Sequence, residues 1–196
     1  PVAPACCQVL AAMFEYYNIE INKDLATCIL TGIITDTGGF QWGGVSPETF
    51  EFAAELLRKG AKLKDICRIA LRKKSKAHCE LEKLICNRLE FLEDGKVAFT
   101  YITNQDQDEV HAVQGDHEGI VDIGKNIDDV EVSIFLHEVK GKGYKISLRS
   151  LEYVDVASIA IMLGGGGHLR AAGAYGKGTV EEIKNKVLKE VRKQLK

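Results

Sequence analysis

The spacing of apolar residues changes near residue 88, and this change limits the folds that the chain can adopt. Before it, apolar residues recur at intervals of three and four, as at Phe50, Ala53 and Leu57, which predicts helices. After it, apolar and polar residues alternate in "VEVSIFLHEV" (130–139) and "YKISLRS" (144–150), which predicts strands. The sequence therefore predicts two α/β domains with a boundary near 61–90.

Several helix ends are marked by their capping residues. Asn22 and Ser46 predict the starts of two helices, Gly60 predicts the end of the second, and Thr179 predicts the start of the last helix. Residues 9–17 are apolar on nearly every side, which predicts a buried helix.

Residues 61–88 keep helical spacing, but their middle, "LRKKSKAHCELEK" (71–83), is strongly charged. Glutamates follow the basic residues at once, which favours a solvated helix between two domains over a basic binding patch. The next segment, "LEFLEDGKVAFTYIT" (89–103), predicts two strands joined by a turn at Asp94-Gly95.

Composition bounds the kind of partner that the chain can bind. Of its 196 residues, 45% are hydrophobic and 28% are charged, as in a globular protein, and the net charge is -2. This charge argues against nonspecific binding to polyanions or membranes, so a nucleic-acid substrate is expected to be short. No apolar run approaches the length of a bilayer span, and six cysteines without a C-x-x-C pair or a leader favour a reducing cytoplasm.

The segment "LGGGGHLRAAGA" (163–174) is the least ordinary part of the sequence. Four glycines cost conformational entropy on folding, so they predict close backbone approach to a ligand, or open N–H groups before a helix N-terminus that attracts an anion. A packing or linker role is the alternative. Linkers do not usually run into His-Leu-Arg-Ala-Ala, which favours the anion site.

Three further segments could carry chemistry, each with a plainer interpretation beside it. Asp36 in "TGIITDTGGF" (31–40) is either part of a helix cap or a ligand for a hard metal ion. Arg149, followed by Ser150 at a strand end, is either solvated or binds a phosphate with two hydrogen bonds from its planar guanidinium. "GDHEGIVD" (115–122) predicts a loop before a helix rather than a metal site, because adjacent residues diverge; His78, His111 and His137 have no matching partners and are interpreted as incidental.

Taken together, these segments resemble the DHH phosphoesterase superfamily. "TGIITDTGGF" is similar to the last acidic motif of its catalytic domain. "EGIVD" (118–122), "SLRS" (147–150), "DVASIA" (155–160) and "GGGGHLRAAG" (164–173) resemble, in order, landmarks of its DHH-associated C-terminal domain. The likeness is strongest to the nanoRNases, which degrade very short oligonucleotides and dephosphorylate 3′-phosphoadenosine 5′-phosphate.

The resemblance implies an α/β fold with the end of a DHH-type catalytic domain at 1–60, a linker helix at 61–90 and a substrate-binding domain with a mixed sheet at 91–196. It implies two Mn²⁺ ions, with Asp36 as a ligand, in a cleft between the domains. Phosphate contacts are expected at Arg149, Ser150, Gly165, Gly166, Gly167 and His168. A weaker contact is expected at Glu118.

The family's first three motifs, including its Asp-His-His signature, do not occur in this sequence. We therefore expect the chain to be the C-terminal part of a longer enzyme and to be inactive by itself. The expected activity is metal-dependent hydrolysis of short 5′-phosphorylated oligonucleotides or small nucleotides. Hydrolysis of cyclic dinucleotides and a non-catalytic nucleotide-binding module are the alternatives, and homodimerisation stays open.

Overall fold

The computed structural model describes residues 3–41 and 44–196, so Pro1, Val2, Trp42 and Gly43 lie outside the described residues. The chain forms two compact units, and the division between Lys73 and Lys74 falls inside the predicted linker at 61–90. None of the helices in the described ranges has both the length and the apolar character needed to cross a bilayer.

The N-terminal unit is helical. Its core lies between the helices and includes Ile29, Ile33 and Leu56. The predicted cap at Asn22 is confirmed, since its Oδ1 accepts a hydrogen bond from Leu25 N at 3.0 Å. The described helices are α1 (Cys6–Tyr16), α2 (Lys23–Asp36), α3 (Pro47–Arg58) and α4 (Leu63–Ile66), and α4 continues as a π-helical segment (Cys67–Arg72).

Helix α1 is not the buried helix that its composition predicts. Ala11 is its one fully buried residue in the described structure, while Leu10, Met13 and Tyr16 are exposed. The helix packs against α2 along one side, so an apolar composition on every side leaves apolar side chains at the surface.

The predicted bridging helix is two helices. The first ends with the π-helical segment at Arg72, and Lys73 has extended backbone angles. The second, α5 (Lys76–Asn87), starts at Ser75, whose Oγ accepts a hydrogen bond from His78 N at 2.9 Å. It buries Leu81 and Ile85. The expected continuous solvated helix is therefore wrong.

The C-terminal unit is built on one six-stranded sheet of order β1-β2-β3-β4-β6-β5. The strands β2 and β3 are parallel and all other neighbours are antiparallel, so the sheet is mixed, as expected. The strands are β1 (Glu90–Leu92), β2 (Val97–Ile102), β3 (Val132–Val139), β4 (Gly143–Ser150), β5 (Gly166–His168) and β6 (Ala171–Gly176). Its further helices are α6 (Asn104–Glu109), α7 (Ile120–Lys125), α8 (Val156–Met162) and α9 (Val180–Val191).

The two faces of this sheet are covered differently. On the first face, Ile134 and Leu148 belong to the largest apolar core, together with residues of α8 and α9. On the second face, a smaller core joins Phe135 of β3 to α5 and α7. Beyond that core, the second face of β4, β6 and β5 carries exposed or half-buried residues.

Candidate functional site

The glycine run leads into a β-hairpin. The strand β5 starts at Gly166 and pairs antiparallel with β6, which contains the alanines that follow His168. Ala172 and Ala174 are buried against the first-face core. The helix N-terminus expected after the glycines is therefore wrong, because pairing with β4 places these alanines in a strand.

The glycines have two different roles. A Cβ on Gly165 would lie 2.1 Å from Gly173 O, and a Cβ on Gly167 would lie 2.5 Å from Ala172 Cα. These two residues leave room for β6 and not for a ligand. Gly166 alternates with them, and a Cβ there would meet nothing within 4 Å. Of the three glycines expected at a phosphate, Gly166 alone has its missing side chain on an open side.

Cross-strand register brings together two of the predicted phosphate contacts, Arg149 and His168. Arg149 of β4 is paired with Ala171 of β6, and Ala171 is paired with His168 of β5. Residues opposite one another in a sheet share a face, so Arg149 and His168 lie in one row on the second face. His168 is exposed and Arg149 is half-buried.

Two more rows lie beside this one. Ser147, Gly173 and Gly166 form the middle row, and Lys145 and Tyr175 form the third. We call this surface the open face. It consists of Lys145, Ser147, Arg149, Gly166, His168, Ala171, Gly173 and Tyr175.

The guanidinium of Arg149 is held from two sides. Its Nη1 donates a hydrogen bond to Leu148 O at 3.0 Å, and its Nε lies 3.3 Å from Asp122 Oδ1 on α7. Neither contact uses Nη2, and Nη1 carries a second N–H. The free N–H groups can form the paired hydrogen bonds that favour arginine over lysine at a phosphate.

Ser150 does not belong to this site. Its side chain is 2% exposed on the first face, and its Oγ donates a hydrogen bond to Val154 O at 2.6 Å. Successive side chains in a strand point to opposite faces, so Ser150 points away from the face of Arg149. The expectation that it contacts a phosphate beside Arg149 is wrong.

Glu118 lies exposed in the turn before α7. The negative charge of Glu118 raises the pKa of His117. Burial and the charge of Lys145 lower that pKa by more, so the pKa of His117 is lowered overall. The neighbouring Asp116 is structural, since its carboxylate accepts hydrogen bonds from Ser75 Oγ at 2.6 Å and Val113 N at 2.8 Å. The "GDHEGIVD" segment is thus a loop that is fixed to the start of α5 and leads into α7, as predicted.

His137, interpreted from the sequence as incidental, is buried and forms a pair with the half-buried His117. Their ring centroids are 3.9 Å apart, and His137 is 8% exposed. Gln107 Nε2 donates to two backbone carbonyls, so its Oε1 accepts from His137 Nε2 at 3.0 Å. His137 Nδ1 is then a buried acceptor without a partner in the described part of the chain.

Burial, followed by the charges of His117 and Lys145, lowers the pKa of His137 to about 4. Both histidines are therefore neutral near pH 7. His137 lies directly opposite Lys145 in the β3–β4 register, so the pair adjoins the open face. Its sequence signal was the alternation of β3, which places His137 on the side opposite Ile134 and Leu136.

Asp36 is the last residue of α2 and is exposed. The cap belongs to Thr37, whose Oγ1 donates to Ile33 O at 2.6 Å and accepts from Phe40 N at 2.9 Å. The carboxylate of Asp36 lies near Cys7, and after burial it is the second cause that raises the pKa of that thiol. Among the residues that the structure describes, no group of three His, Cys, Asp or Glu side chains could hold a metal ion. These residues by themselves do not fit two Mn²⁺ ions.

The chain is similar in sequence to known proteins. Residues 94–196 match the DHHA1 domain family. The chain is 32% identical over 197 residues to the bifunctional oligoribonuclease and PAP phosphatase NrnA of Thermus thermophilus, covering 100% of this chain and 58% of that protein. It is 28% identical over 197 residues to the cyclic-di-AMP phosphodiesterase PdeA of Listeria monocytogenes, covering 100% of this chain and 28% of that protein.

The fold is also found in solved structures. An exopolyphosphatase-related protein from Bacteroides fragilis superposes with a TM-score of 0.92 at 31% identity, over 98% of this chain and 57% of that one. The chain thus spans somewhat more than half the length of the Thermus and Bacteroides proteins.

Proposed function

The chain belongs to the DHHA1 domain family and to the nanoRNase branch of the DHH superfamily, and from that premise we propose that it binds the phosphate of a short oligonucleotide or small nucleotide for hydrolysis by a phosphoesterase. Arg149 and His168 are the proposed phosphate contacts. The observation that carries the proposal is their shared row on the open face, with Ala171 between them.

The geometry suits a phosphate. Two strand spacings separate the backbones of Arg149 and His168, about 10 Å, and both side chains are long enough to approach an anion above Ala171. The methyl group of Ala171 leaves that space open. A cationic fork and an imidazole N–H would form charge-assisted hydrogen bonds to phosphate oxygens, and these fixed donors would stabilise charge as it develops on the phosphate.

We also propose that the hydrolysis uses Mn²⁺, although the described residues by themselves do not form a metal site. Asp36 is proposed as one Mn²⁺ ligand, which its exposure and its absence from the α2 cap support. A two-metal phosphoesterase needs several more ligands, and these would have to come from residues outside this sequence. The proposed activity is therefore that of a longer protein, in a reducing cytoplasm, which the six free thiols support.

The test is equilibrium binding of 5′-phosphorylated diadenylate to the chain, measured by calorimetry. Arg149→Ala and His168→Asn are each expected to weaken binding about tenfold or more, since each removes hydrogen bonds to a charged group. Arg58→Ala and His111→Asn are matched controls at exposed positions outside the open face and should bind as the wild type does. Unchanged affinity in both site variants would remove the assignment.

Two alternatives have specific support or a clear test. The likeness to the Listeria cyclic-di-AMP phosphodiesterase favours a cyclic dinucleotide, which predicts that cyclic-di-AMP displaces diadenylate from the open face. A non-catalytic binding module predicts nucleotide binding without turnover in the longer natural protein. The low net charge still favours short ligands over long single strands in each case.

A further inference from the structure

The open face extends beyond the proposed phosphate contacts into a depression of about 340 Å³, close to the lower limit for small-ligand pockets. Neither Arg149 nor His168 lines it. Its lining residues are Lys145, Gly164, Gly165, Gly166, Gly173, Ala174 and Tyr175.

The floor of this depression is flat. Gly166 and Gly173 are paired in the middle row of the open face, and neither carries a side chain. The floor therefore offers backbone and open space, which a planar group can approach closely. At one side stands Tyr175, which is 55% exposed although it lies in a strand beside a core. An aromatic ring this exposed has apolar area to bury against a ligand.

Positive charge lies at both ends of the floor. Lys145 is paired with Tyr175 across β4 and β6 and is exposed, and no ion pair found within residues 3–41 and 44–196 includes it. Arg149 lies four residues further along the same strand, about 13 Å away. One phosphate cannot contact both ends, whereas a nucleoside flanked by phosphates can, so the charges complement a dinucleotide.

We propose that Tyr175 and the floor formed by Gly166 and Gly173 are a stacking subsite for a nucleobase, and that Lys145 attracts the phosphate beyond it. The subsite rests on the proposed function, because Arg149 and His168 hold the first phosphate. Every base has a π-face, so stacking on Tyr175 accepts any base. The chemistry selects dinucleotides over single phosphates without reading sequence.

The experiment uses the 196-residue chain and two probes. The first probe is 5′-phosphorylated diadenylate, and the second is the same molecule without its first base, the base that lies between the two phosphates. Tyr175→Ala is expected to weaken binding of diadenylate about 10- to 100-fold and to leave the abasic probe unchanged, because it removes stacking alone. Tyr175→Phe should retain tight binding. Phe91→Ala is the matched control, since Phe91 is 53% exposed on β1 at the other edge of the sheet.

The outcomes separate the subsite from the proposed function. If Arg149→Ala weakens both probes while Tyr175→Ala weakens neither, the subsite is wrong and the phosphate assignment stands. If Tyr175→Ala weakens both probes equally, its effect is not on the base, and stacking is again overturned. If Arg149→Ala changes neither probe, the proposed function fails, whatever Tyr175→Ala does.

Discussion

Arg149 and His168 lie in one cross-strand row of the open face, separated by the single small side chain of Ala171. They come from different strands and are 19 positions apart in the chain. Their meeting therefore depends on the strand order β4-β6-β5, which inserts β6 between them.

Arg149→Lys tests whether this row recognises a phosphate through a fork or only through charge. We expect about tenfold weaker binding of 5′-phosphorylated diadenylate by calorimetry, because an ammonium cannot form the paired hydrogen bonds of a guanidinium. The free energy of unfolding should change by less than about 1 kcal/mol, since the contact with Asp122 is a partly exposed ion pair. Equal affinity of the Lys variant would show that charge alone suffices.

The two roles of the glycine run predict opposite phenotypes for neighbouring substitutions. Gly167→Ala should lower the free energy of unfolding by about 1–3 kcal/mol in urea, because its φ is +151° and its Cβ would meet the backbone of β6. Gly166→Ala should keep its stability within about 0.5 kcal/mol, since nothing lies within 4 Å. It should instead weaken diadenylate binding, because a methyl group would rise from the floor. Similar stability losses in both variants would contradict this division.

The pair of His137 and His117 predicts a loss of stability in mild acid. His137 has a pKa of about 4 in the folded protein and about 6.5 in the unfolded chain, so between these values the unfolded state binds more protons. The contribution of neutral His137 to the free energy of unfolding should be fully present above about pH 6.5. Below that pH, the free energy of unfolding should fall by up to about 1.4 kcal/mol per pH unit toward pH 4. His117, whose pKa is also lowered, adds to the same fall.

His137→Gln is the variant that isolates this effect, measured by urea denaturation from pH 7.5 to 4.5. Glutamine keeps a donor for Gln107 Oε1 and removes the titration, so the stability of this variant should fall less steeply. His111→Asn, at an exposed position, should keep the wild-type slope. A parallel fall in wild type and His137→Gln would place the titrating group elsewhere.

Metal binding by the chain alone should be weak. Asp36 is exposed, and no group of three potential ligands occurs among residues 3–41 and 44–196, so calorimetry with Mn²⁺ should show no micromolar site. Hydrolysis of diadenylate by the chain should likewise be absent. Turnover that a chelator stops would contradict both expectations and would mean that the chain holds a complete metal centre.

Local signals in the sequence predicted local structure well. The turn at Asp94-Gly95, the caps at Asn22 and Thr179 and the alternation that places Arg149 on a polar face are all confirmed, because each depends on neighbours in the chain. The same alternation could have excluded Ser150, since adjacent residues of a strand cannot share a face.

Features set by distant contacts were not predictable in this way. Alanines after the glycine run have high helix propensity, yet pairing with β4 makes them a strand. The contact between the rings of His117 and His137 joins a loop to a strand 20 positions later, and no spacing rule reveals it. Tyr175 follows Gly173 by two residues, but its place beside Lys145 exists only through the sheet register.

The glycine run also carries information in its length. Identical residues give a strand no side-chain signal for its register, so the register here is fixed at the two ends. Gly165 N bonds to Ala160 O at 2.8 Å, and Leu169 O accepts from Val156 N at 3.1 Å. Removing one glycine would leave too few residues to form both contacts. If the Gly165 contact is kept, the strand shifts by one position and His168 turns from the open face to the core. The number of glycines therefore determines the face on which His168 lies, and it matters as much as their identity.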